Sequence, residues 1–413
     1  MSDPMYAAIS GLNASQNMLG VVGENIANVG TVGYKSSFMT FEQALQQTLS
    51  GASAPTATAG GINPVQEAAG GAVNVAGVQI NTNEGTLEST GVNTNLAIQG
   101  NGYFIVKTPQ GGLAYTRAGD FSLDANGNLV DPNGNIVLGW SNATVKSGSQ
   151  TATNMVPMTI PPNQTDPATA STNITFSGNL NSGDTSDSIP VTLYNSQGKQ
   201  VPIDITFTNP TPSTTGSGMQ WDVGYTTSGS STPTQIGTVD FGTTPPTYTS
   251  TGSINIPASG GAQAITVTLS SQDFLNLTDY AMATQMTATA NGNAAGTMEN
   301  FTIGSDGTIT GSFSNGGTLV LGQVGLANFA NPGGLLNIGK NLWQQSPNSG
   351  QPLVGTASTG QLGSIAAGEL EGSNVSLANQ FVNMIVAQEG YQANSKVITV
   401  AQTLDNTLVN MVQ

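Results

Sequence analysis

The chain has 413 residues, of which only 7% are charged, and 7 Lys and Arg face 23 Asp and Glu for a net charge of −16. So acidic a chain cannot neutralise a run of phosphates, which excludes nucleic acid as a partner, and it is equally unsuited to an anionic membrane surface. Cys and His are both absent, which removes thiol nucleophiles, imidazole bases, disulfides and the usual zinc ligands.

The first predicted element is a helix from Pro4 to about Asn28. Its apolar residues recur every three or four positions, as in one stripe of a coiled coil, with a polar break at Ser15. The seam residues of this stripe are Met5, Leu12, Leu19, Val22 and Ile26. The helix is marginal alone, because Gly11, Gly20 and Gly23 each cost about 1 kcal/mol relative to Ala.

A second helix is predicted from about Val375 to Met411. Its stripe changes phase after Gly390, which predicts a bend or stutter between Gly390 and Ser395. The seam residues beyond that point are Val397, Leu404, Leu408 and Met411, with Ala401 between them. Two narrow stripes at opposite ends of the chain leave two arrangements open. Either the helices pair with each other on the protein's own core, or they pair with copies of themselves.

Between the two helices the sequence predicts mostly β-structure. Residues 33–75 are predicted as a linker or loop, because much of this stretch is Ala, Gly, Ser and Thr. Residues 76–146 and 280–365 alternate apolar and polar side chains and carry hairpin dipeptides such as Asn126-Gly127 and Asn133-Gly134. Residues 147–279 hold eight Asp and one Lys, a net charge of −7, and are predicted as a separate all-β domain.

The simplest fold class for these segments is mainly β with a terminal α-helical coiled coil, in a nested arrangement. Residues 1–32 and 366–413 form the paired N- and C-terminal helices. Residues 76–146 and 280–365 form one split β domain, and residues 147–279 form an inserted all-β outer domain. Chain termini often lie close together, which agrees with this nesting.

Three short motifs suggest a functional site, but none of them has all the residues that such a site requires. A calcium loop starting at Asp124 would need Gly and Glu where Leu129 and Asn135 stand. Glu369 and Glu371 lie just before the second helix, where acidic side chains favour a helix N-terminus. The stretch IQGNGYF lacks the third Gly of a dinucleotide fingerprint. Without an imidazole to activate Ser or Thr, we expect no catalytic residue, no metal and no cofactor.

The N-terminal stretch resembles the signature of the bacterial flagellar rod and hook family: MYAAISGLNASQNMLGVVGENIANVGTVGYKSSF. The element that ends the first helix in that family falls here on Ala27, Asn28, Thr31, Gly33, Tyr34 and Lys35. The C-terminal stretch from Glu371 resembles the family ending, with motif residues Gln388, Tyr391, Ala393, Asn394 and Lys396. The resemblance implies that these residues act in assembly.

Two features resemble the hook members of this family. One is LGQVGLANFANPGGLLNIGKNLW, and the other is the large insertion after Trp140, which shorter rod subunits lack. The resemblance implies a structural subunit that polymerises into a curved helical tube and acts as a universal joint between rod and filament. A distal rod subunit is the alternative within the family. A surface adhesin or fimbrial subunit is the alternative from another class, and it would normally carry a signal peptide.

The resemblance also implies partners and a location. The partners would be copies of the chain itself, the hook cap protein, the distal rod protein, the hook–filament junction protein and the flagellar type III export apparatus. The sequence shows no basic start followed by an apolar run, and no apolar run approaches the roughly 18 residues that cross a bilayer. We therefore expect an extracellular protein of the flagellar hook and basal body, exported without a cleaved signal peptide and not inserted in a membrane.

Overall fold

The fold is described from a computed structural model. The residues it describes are 3–43, 46–50, 65–68, 73–227, 230, 232–258 and 263–411. The chain divides into two compact units. Unit 1 comprises Met1–Pro161, Thr302–Thr310 and Val320–Gln413, and unit 2 comprises Pro162–Phe301 and Gly311–Leu319. Each unit encloses its own cluster of buried apolar side chains.

The chain up to residue 161 forms a long helix followed by short strands and one short helix. These elements are α1 (Asp3–Ala27), β1 (Ser37–Gln43), β2 (Gln46–Ser50), β3 (Val65–Ala68), β4 (Val73–Ile80), β5 (Leu87–Ser89), β6 (Leu96–Gln99), β7 (Tyr103–Lys107), β8 (Leu113–Thr116), β9 (Ser122–Leu123), β10 (Leu129–Val130), β11 (Ile136–Ser141), α2 (Asn142–Ser147) and β12 (Val156–Pro157). A 3-10 turn covers Ala152–Asn154. The helix predicted at the N-terminal end is therefore confirmed.

The rest of the chain is built of strands and ends in a helix of 35 residues. These elements are β13 (Thr165–Asp166), β14 (Ile174–Asn179), β15 (Ser186–Tyr194), β16 (Gln200–Pro212), β17 (Met219–Thr227), β18 (Thr234–Asp240), β19 (Thr247–Ser250), β20 (Ile254–Ile256), β21 (Ile265–Val267), β22 (Asn276–Thr278), β23 (Gln285–Ala290), β24 (Gly296–Ile303), β25 (Thr308–Phe313), β26 (Thr318–Asn328), β27 (Leu336–Gly339), β28 (Leu342–Gln344), β29 (Leu353–Thr356), β30 (Ser364–Ala367), β31 (Glu369–Glu371) and α3 (Leu377–Met411). Further 3-10 turns cover Ser271–Phe274 and Pro332–Gly334. The predicted fold class, mainly β with terminal helices, is confirmed.

The main sheet of unit 1 joins strands from both sides of the insertion. Its antiparallel order is β26-β11-β7-β8-β28-β27, with β12 added at β11 and β29 at β26. The side chains of Tyr103, Tyr115 and Phe329 pack edge to face beneath it, with ring centroids 4.8 Å apart for Tyr115 and Phe329. The Asn-Gly dipeptides at 126 and 133 lie in the turns before β10 and β11, as the sequence predicts.

Two two-stranded antiparallel sheets bring the two ends of unit 1 together, β5 with β31 and β6 with β30, while β1 pairs with β4 inside the N-terminal part of the chain. The predicted linker at 33–75 is therefore wrong where the structure describes it, because its apolar and β-branched residues form strands. Residues 44–45, 51–64 and 69–72 of that predicted linker lie outside the described residues. Residues 366–371 belong to strands as well, and α3 begins only at Leu377.

Unit 2 consists of a five-stranded antiparallel sheet, β15-β16-β17-β18-β19, a three-stranded sheet, β22-β14-β23, and smaller strand pairs. Trp221, Phe176, Phe207 and Phe274 are fully buried in its core.

The limits of unit 2 differ from the predicted 147–279. Residues 147–161 belong to unit 1, because Met158 and Ile160 are buried there and bond to the turns and strands at Gly127, Leu129 and Val137. Residues 280–301 belong to unit 2, because β23 completes the sheet beside β14. Both limits of unit 2 are set by pairing between strands that are far apart in the chain. Sequence composition therefore did not predict them.

Candidate assembly site

The two terminal helices approach each other closely at two glycines. A Cβ added at Gly11 of α1 would lie 2.6 Å from Asn394 Nδ2, and one added at Gly390 would lie 3.1 Å from Ser15 Oγ. Residues with higher numbers in α1 meet residues with lower numbers in α3, so the helices are antiparallel. Gly11, which weakens the isolated helix, and Ser15, which breaks its apolar stripe, are therefore both part of the contact between the helices.

The predicted seam of α1 lies on the covered side of that helix. Val22 is buried, and Met5, Leu12, Leu19 and Ile26 are half-buried. The role of these residues as a coiled-coil seam stays a prediction.

Apart from Ala401, the predicted seam of α3 does not lie on the side covered by α1. Val397, Leu404 and Met411 are 43%, 60% and 80% exposed, and the side chain of Leu408 lies outside the described residues. The covered side of α3 consists of Gln380, Asn383, Met384, Ala387, Gly390, Asn394, Ile398, Ala401 and Asp405. Because the two helices approach closely at the two glycines, the covered side of α3 carries mostly small and polar side chains. The helix itself is unbroken through the predicted bend region.

Five of the apolar side chains that α3 leaves exposed share one face of the helix, which we call the outer stripe. It consists of Val382, Val386, Val397, Val400 and Leu404, each between 43% and 60% exposed. Their spacings of 4, 11, 3 and 4 residues place them on one face of a helix. Exposed apolar side chains that share one helix face are typical of a contact site for another protein surface.

The turn after α1 is stabilised by the motif residues themselves. Asn28 Nδ2 donates to a carbonyl of α1 at 2.9 Å, and Thr31 Oγ1 donates to Asn28 Oδ1 at 3.1 Å. Gly33 has φ +67°, and a Cβ there would lie 2.6 Å from the backbone nitrogen of Ala118, so only glycine fits. Ala27 is the last residue of α1. These residues therefore end the helix and turn the chain.

Asn25 links α1 to two other elements. Its Oδ1 accepts from the Tyr34 hydroxyl at 3.3 Å and from Ser37 N at 2.9 Å. Its Nδ2 donates to Ser37 O at 2.7 Å and to Gln380 Oε1 at 3.2 Å. The motif residue Tyr34 is thus fixed beside the junction of α1, β1 and α3. Burial, together with the negative charge of Glu24, raises the pKa of Tyr34 to about 12.

The raised pKa predicts a loss of stability in alkaline solution. The unfolded tyrosine ionises near 10 and the folded one near 12, so its contribution is complete below pH 10 and is lost as the pH rises to about 12. The loss is at most about 2.7 kcal/mol for two pKa units. We expect Tyr34→Phe to remove this part of the pH dependence when urea unfolding is measured below pH 10 and near pH 12. An unchanged pH dependence in the variant would contradict the assignment.

Glu371 is the centre of a buried charge cluster. Its carboxylate is fully buried, with Oε1 2.5 Å from Lys35 Nζ and Oε2 3.3 Å from Arg117 Nη1. Oε1 also accepts from Gly85 N at 2.9 Å, while Lys35 donates to Asn83 O at 2.7 Å. Burial lowers the pKa of Lys35, and the negative charge of Glu371 opposes that shift. One carboxylate therefore joins four segments that are far apart in the chain.

Neighbouring contacts strengthen the same junction. Arg117 Nη2 donates to Gly100 O at 2.6 Å, and its guanidinium carbon lies 5.5 Å from the centroid of the Tyr103 ring. The side chain of Asn374 accepts from Ser36 N at 2.7 Å and donates to two backbone carbonyls in the segment before β5. The last strand before α3 is thereby fastened to the first segment after α1.

The interpretation of Glu371 as a helix N-terminal group is wrong. It lies on β31, six positions before α3 begins at Leu377, and its role is to pair with Lys35 and Arg117. One signal in the sequence could have suggested this. The chain has only seven basic residues, so a Lys inside an apolar motif requires a nearby carboxylate.

The residues of the C-terminal motif do not gather at this junction. Asn394 faces Gly11 and also donates to Gly390 O at 2.9 Å. The other members of the motif, namely Gln388, Tyr391, Ala393 and Lys396, are exposed on α3. The structure thus gives Asn394 a role in pairing the helices and leaves the others free to meet a different surface.

Asp124 illustrates why the turn sequences need no ion. Its Oδ1 accepts from the backbone nitrogens of Asn126 and Asn128, both at 2.8 Å, and its Oδ2 accepts from Asn128 Nδ2 at 2.8 Å. The side-chain hydrogen bond from Asn128 lowers the pKa of Asp124. In the described part of the chain, acidic side chains form no group of three or more that could bind a metal. Nor does any described helix have the length and apolar character to cross a membrane.

Three family models match separate parts of the chain. The model for the flagellar hook protein FlgE/F/G D1 domain matches residues 97–181, and the flagella basal body rod protein model matches residues 5–35. The model for the C-terminal part of flagellar basal body rod FlgEFG proteins matches residues 366–411. The matched segments include both motifs, α1, α3 and the junction around Glu371.

Relatives match the chain over its whole length. The flagellar hook protein FlgE of Borreliella burgdorferi is 33% identical over 446 aligned positions, covering 100% of both chains. The protein of the same name from Salmonella typhimurium is 35% identical over 439 positions, and that from Escherichia coli is 34% identical over 427, each covering 98% of both chains. The Helicobacter pylori hook protein FlgE2 shares the fold, with a TM-score of 0.54 and 17% identity over 69% of this chain and 100% of its own.

Proposed function

The chain belongs to the flagellar hook protein family, and we propose that it polymerises through its terminal helices as the structural subunit of a hook. The relatives named hook protein cover it almost completely, which does not favour a rod subunit or an adhesin. The observation that carries the proposal is the outer stripe, which is apolar and unpartnered in one copy of the chain. The occupant of this surface is a second copy.

The energetics of the two helices support this step. α1 contains three glycines, and the side of α3 that it covers carries largely small and polar side chains. Such a pair gains little from burial, since each large apolar side chain buried contributes about 1.5 to 3 kcal/mol. The apolar side chains of the outer stripe remain exposed in the single subunit, so their burial can stabilise the association of copies. Contacts between different faces of identical subunits produce open helical polymers when the rotation between copies does not close into a ring.

We propose further that the polymer is a curved tube that acts as a universal joint and transmits torque from rod to filament. Unit 2 has a hydrophobic core of its own and carries nine Asp and Glu against one Lys, a net charge of −8. Like-charged units on neighbouring copies repel one another and make no strong fixed contact. Such units can slide as the tube bends.

The partners in this proposal are those of a hook subunit. They are copies of the chain, the hook cap protein, the distal rod protein, the hook–filament junction protein and the flagellar type III export apparatus. The chain would reach its extracellular place in the flagellum through that apparatus, without a cleaved signal peptide. Its work is structural, and the proposal includes no catalytic step.

Leu404→Glu tests the outer stripe. Leu404 is 60% exposed and Glu is a good helix former, so we expect the single subunit to fold normally. Between two copies the added carboxylate would be buried without a partner, at a penalty of several kcal/mol. We therefore expect electron microscopy to show no tubes for this variant.

The matched control is Gln392→Glu, which adds the same charge at an exposed position outside the outer stripe. It should polymerise as the wild type does. Normal tubes from Leu404→Glu would rule out the outer stripe as the contact. Failure of both variants would point to net charge rather than to this surface.

A further inference from the structure

We propose that Asn101 is a site of spontaneous deamidation, at which the chain acquires an isoaspartate as it ages. The chain contains five Asn-Gly dipeptides, at residues 101, 126, 133, 291 and 315. In this reaction the backbone nitrogen of the glycine attacks the Asn side-chain carbon Cγ. A Cγ–N bond forms, the Cγ–Nδ2 bond breaks, and ammonia leaves with the proton of the attacking N–H. Water then opens the cyclic imide to aspartate or isoaspartate.

Three of the five glycines have their N–H engaged. Gly127 N and Gly134 N each donate to the carbonyl three residues earlier at 3.0 Å, and Gly316 N does the same at 2.9 Å. A nitrogen that donates its proton to a carbonyl must break that bond before it can attack. The turns that make these dipeptides good hairpins therefore also protect them.

The fourth dipeptide is protected through its side chain. Asn291 Oδ1 accepts from the backbone nitrogens of Thr172 and Asn173 at 2.9 and 3.0 Å, and its Nδ2 donates to Thr172 Oγ1 at 2.9 Å. Asn315 is held in the same way, by bonds from its Nδ2 to Asp166 Oδ2 and to a backbone carbonyl. These amides cannot turn toward the attacking nitrogen without losing several hydrogen bonds.

Asn101 has neither protection. Its side chain is exposed, and among the described residues neither its amide nor the Gly102 N–H takes part in a hydrogen bond. Gly102 has φ +134°, in the region open to glycine. The nucleophile and the electrophile are therefore both free at this one dipeptide.

The position of Asn101 gives the change a consequence. The carbonyl of Asn101 accepts from Gly363 N at 2.7 Å, and that of the preceding Gly100 accepts from Arg117 Nη2 at 2.6 Å. An isoaspartate lengthens the main chain by one methylene and adds a carboxylate. Both carbonyls would shift, and Arg117 would lose a partner on the side opposite Glu371. Ageing at Asn101 therefore loosens the buried charge cluster.

The test is peptide mapping by mass spectrometry of the purified full chain, incubated in mildly alkaline buffer with and without urea. In the folded chain we expect Asn101 to convert at least about fivefold faster than Asn126, Asn133 and Asn315, which is the factor that one net hydrogen bond adds to a barrier. In urea the rates should become similar. Equal rates in the folded chain, or the same ratio in urea, would overturn the proposal.

A second measurement tests the consequence. Asn101→Gln forms the corresponding six-membered imide much more slowly, so this variant should keep its urea-unfolding midpoint during incubation. The wild-type midpoint should fall as isoaspartate accumulates. A wild-type midpoint that stays constant at high conversion would show that the change does not reach the charge cluster.

Discussion

Replacing Glu371 by Gln is expected to destabilise unit 1 by about 3–5 kcal/mol, the loss found when one partner of a buried ion pair is removed. Gln has nearly the same shape, so the effect isolates the charge. Lys35 and Arg117 are 5% exposed each, and the variant removes the carboxylate that pairs with both of these buried cations. Neither can reach water without opening the segments that surround it.

The matched control is Glu369→Gln, two positions earlier on the same strand. Glu369 is half-buried, and no ion pair of this residue occurs among the described residues. Hydrogen exchange measured by mass spectrometry can follow the two units separately. We expect faster exchange in β5 and β31 for Glu371→Gln and unchanged exchange in β16 and β17 of unit 2. Equal effects from the two variants would show that the charge cluster does not stabilise unit 1.

The cluster is important for a hook subunit because of what it connects. Lys35 follows the turn after α1, Glu371 ends the last strand before α3, and Arg117 lies in the β part of unit 1. If copies meet through the terminal helices, any load on those helices passes through this junction. A subunit with a loosened cluster would keep its helices and its sheet but would couple them poorly.

Local patterns in the sequence predicted the local features of this fold. The spacing of Met5, Leu12 and Leu19 identified the helix α1. The Asn-Gly dipeptides at 126 and 133 located hairpin turns, because Gly127 and Gly134 take a positive φ there that glycine adopts without strain. Such features depend on a few consecutive residues, and a single sequence contains that information.

Long-range features could not be predicted in this way. Glu371 pairs with Lys35, which lies 336 positions away, and with Arg117, which lies 254 positions away. A chain with 23 acidic residues gives no means of choosing among them. The covered face of α3 was missed for a related reason. That face depends on the close approach of Gly11 in α1, and the sequence of α3 alone contains no information about this contact.

Gly11→Leu is expected to separate the terminal helices and abolish tube formation. Any Cβ at this position would lie 2.6 Å from Asn394 Nδ2 and 2.8 Å from its Cγ, so the whole amide of Asn394 must move. That movement breaks the Asn394 bond to Gly390 O. Overpacking of this kind destabilises by about 1–3 kcal/mol, which outweighs the gain of about 1 kcal/mol from removing a helical glycine.

Gly23→Leu is the matched control, because a Cβ at Gly23 meets no atom within 4 Å. This variant should gain the helical preference without a clash and should still form tubes by electron microscopy. Combining Gly11→Leu with Asn394→Ala opens room for the new side chain and should restore tubes in part, since residues in direct contact are coupled. If Asn394→Ala gives no rescue, the defect of Gly11→Leu arises at a surface other than the contact between α1 and α3.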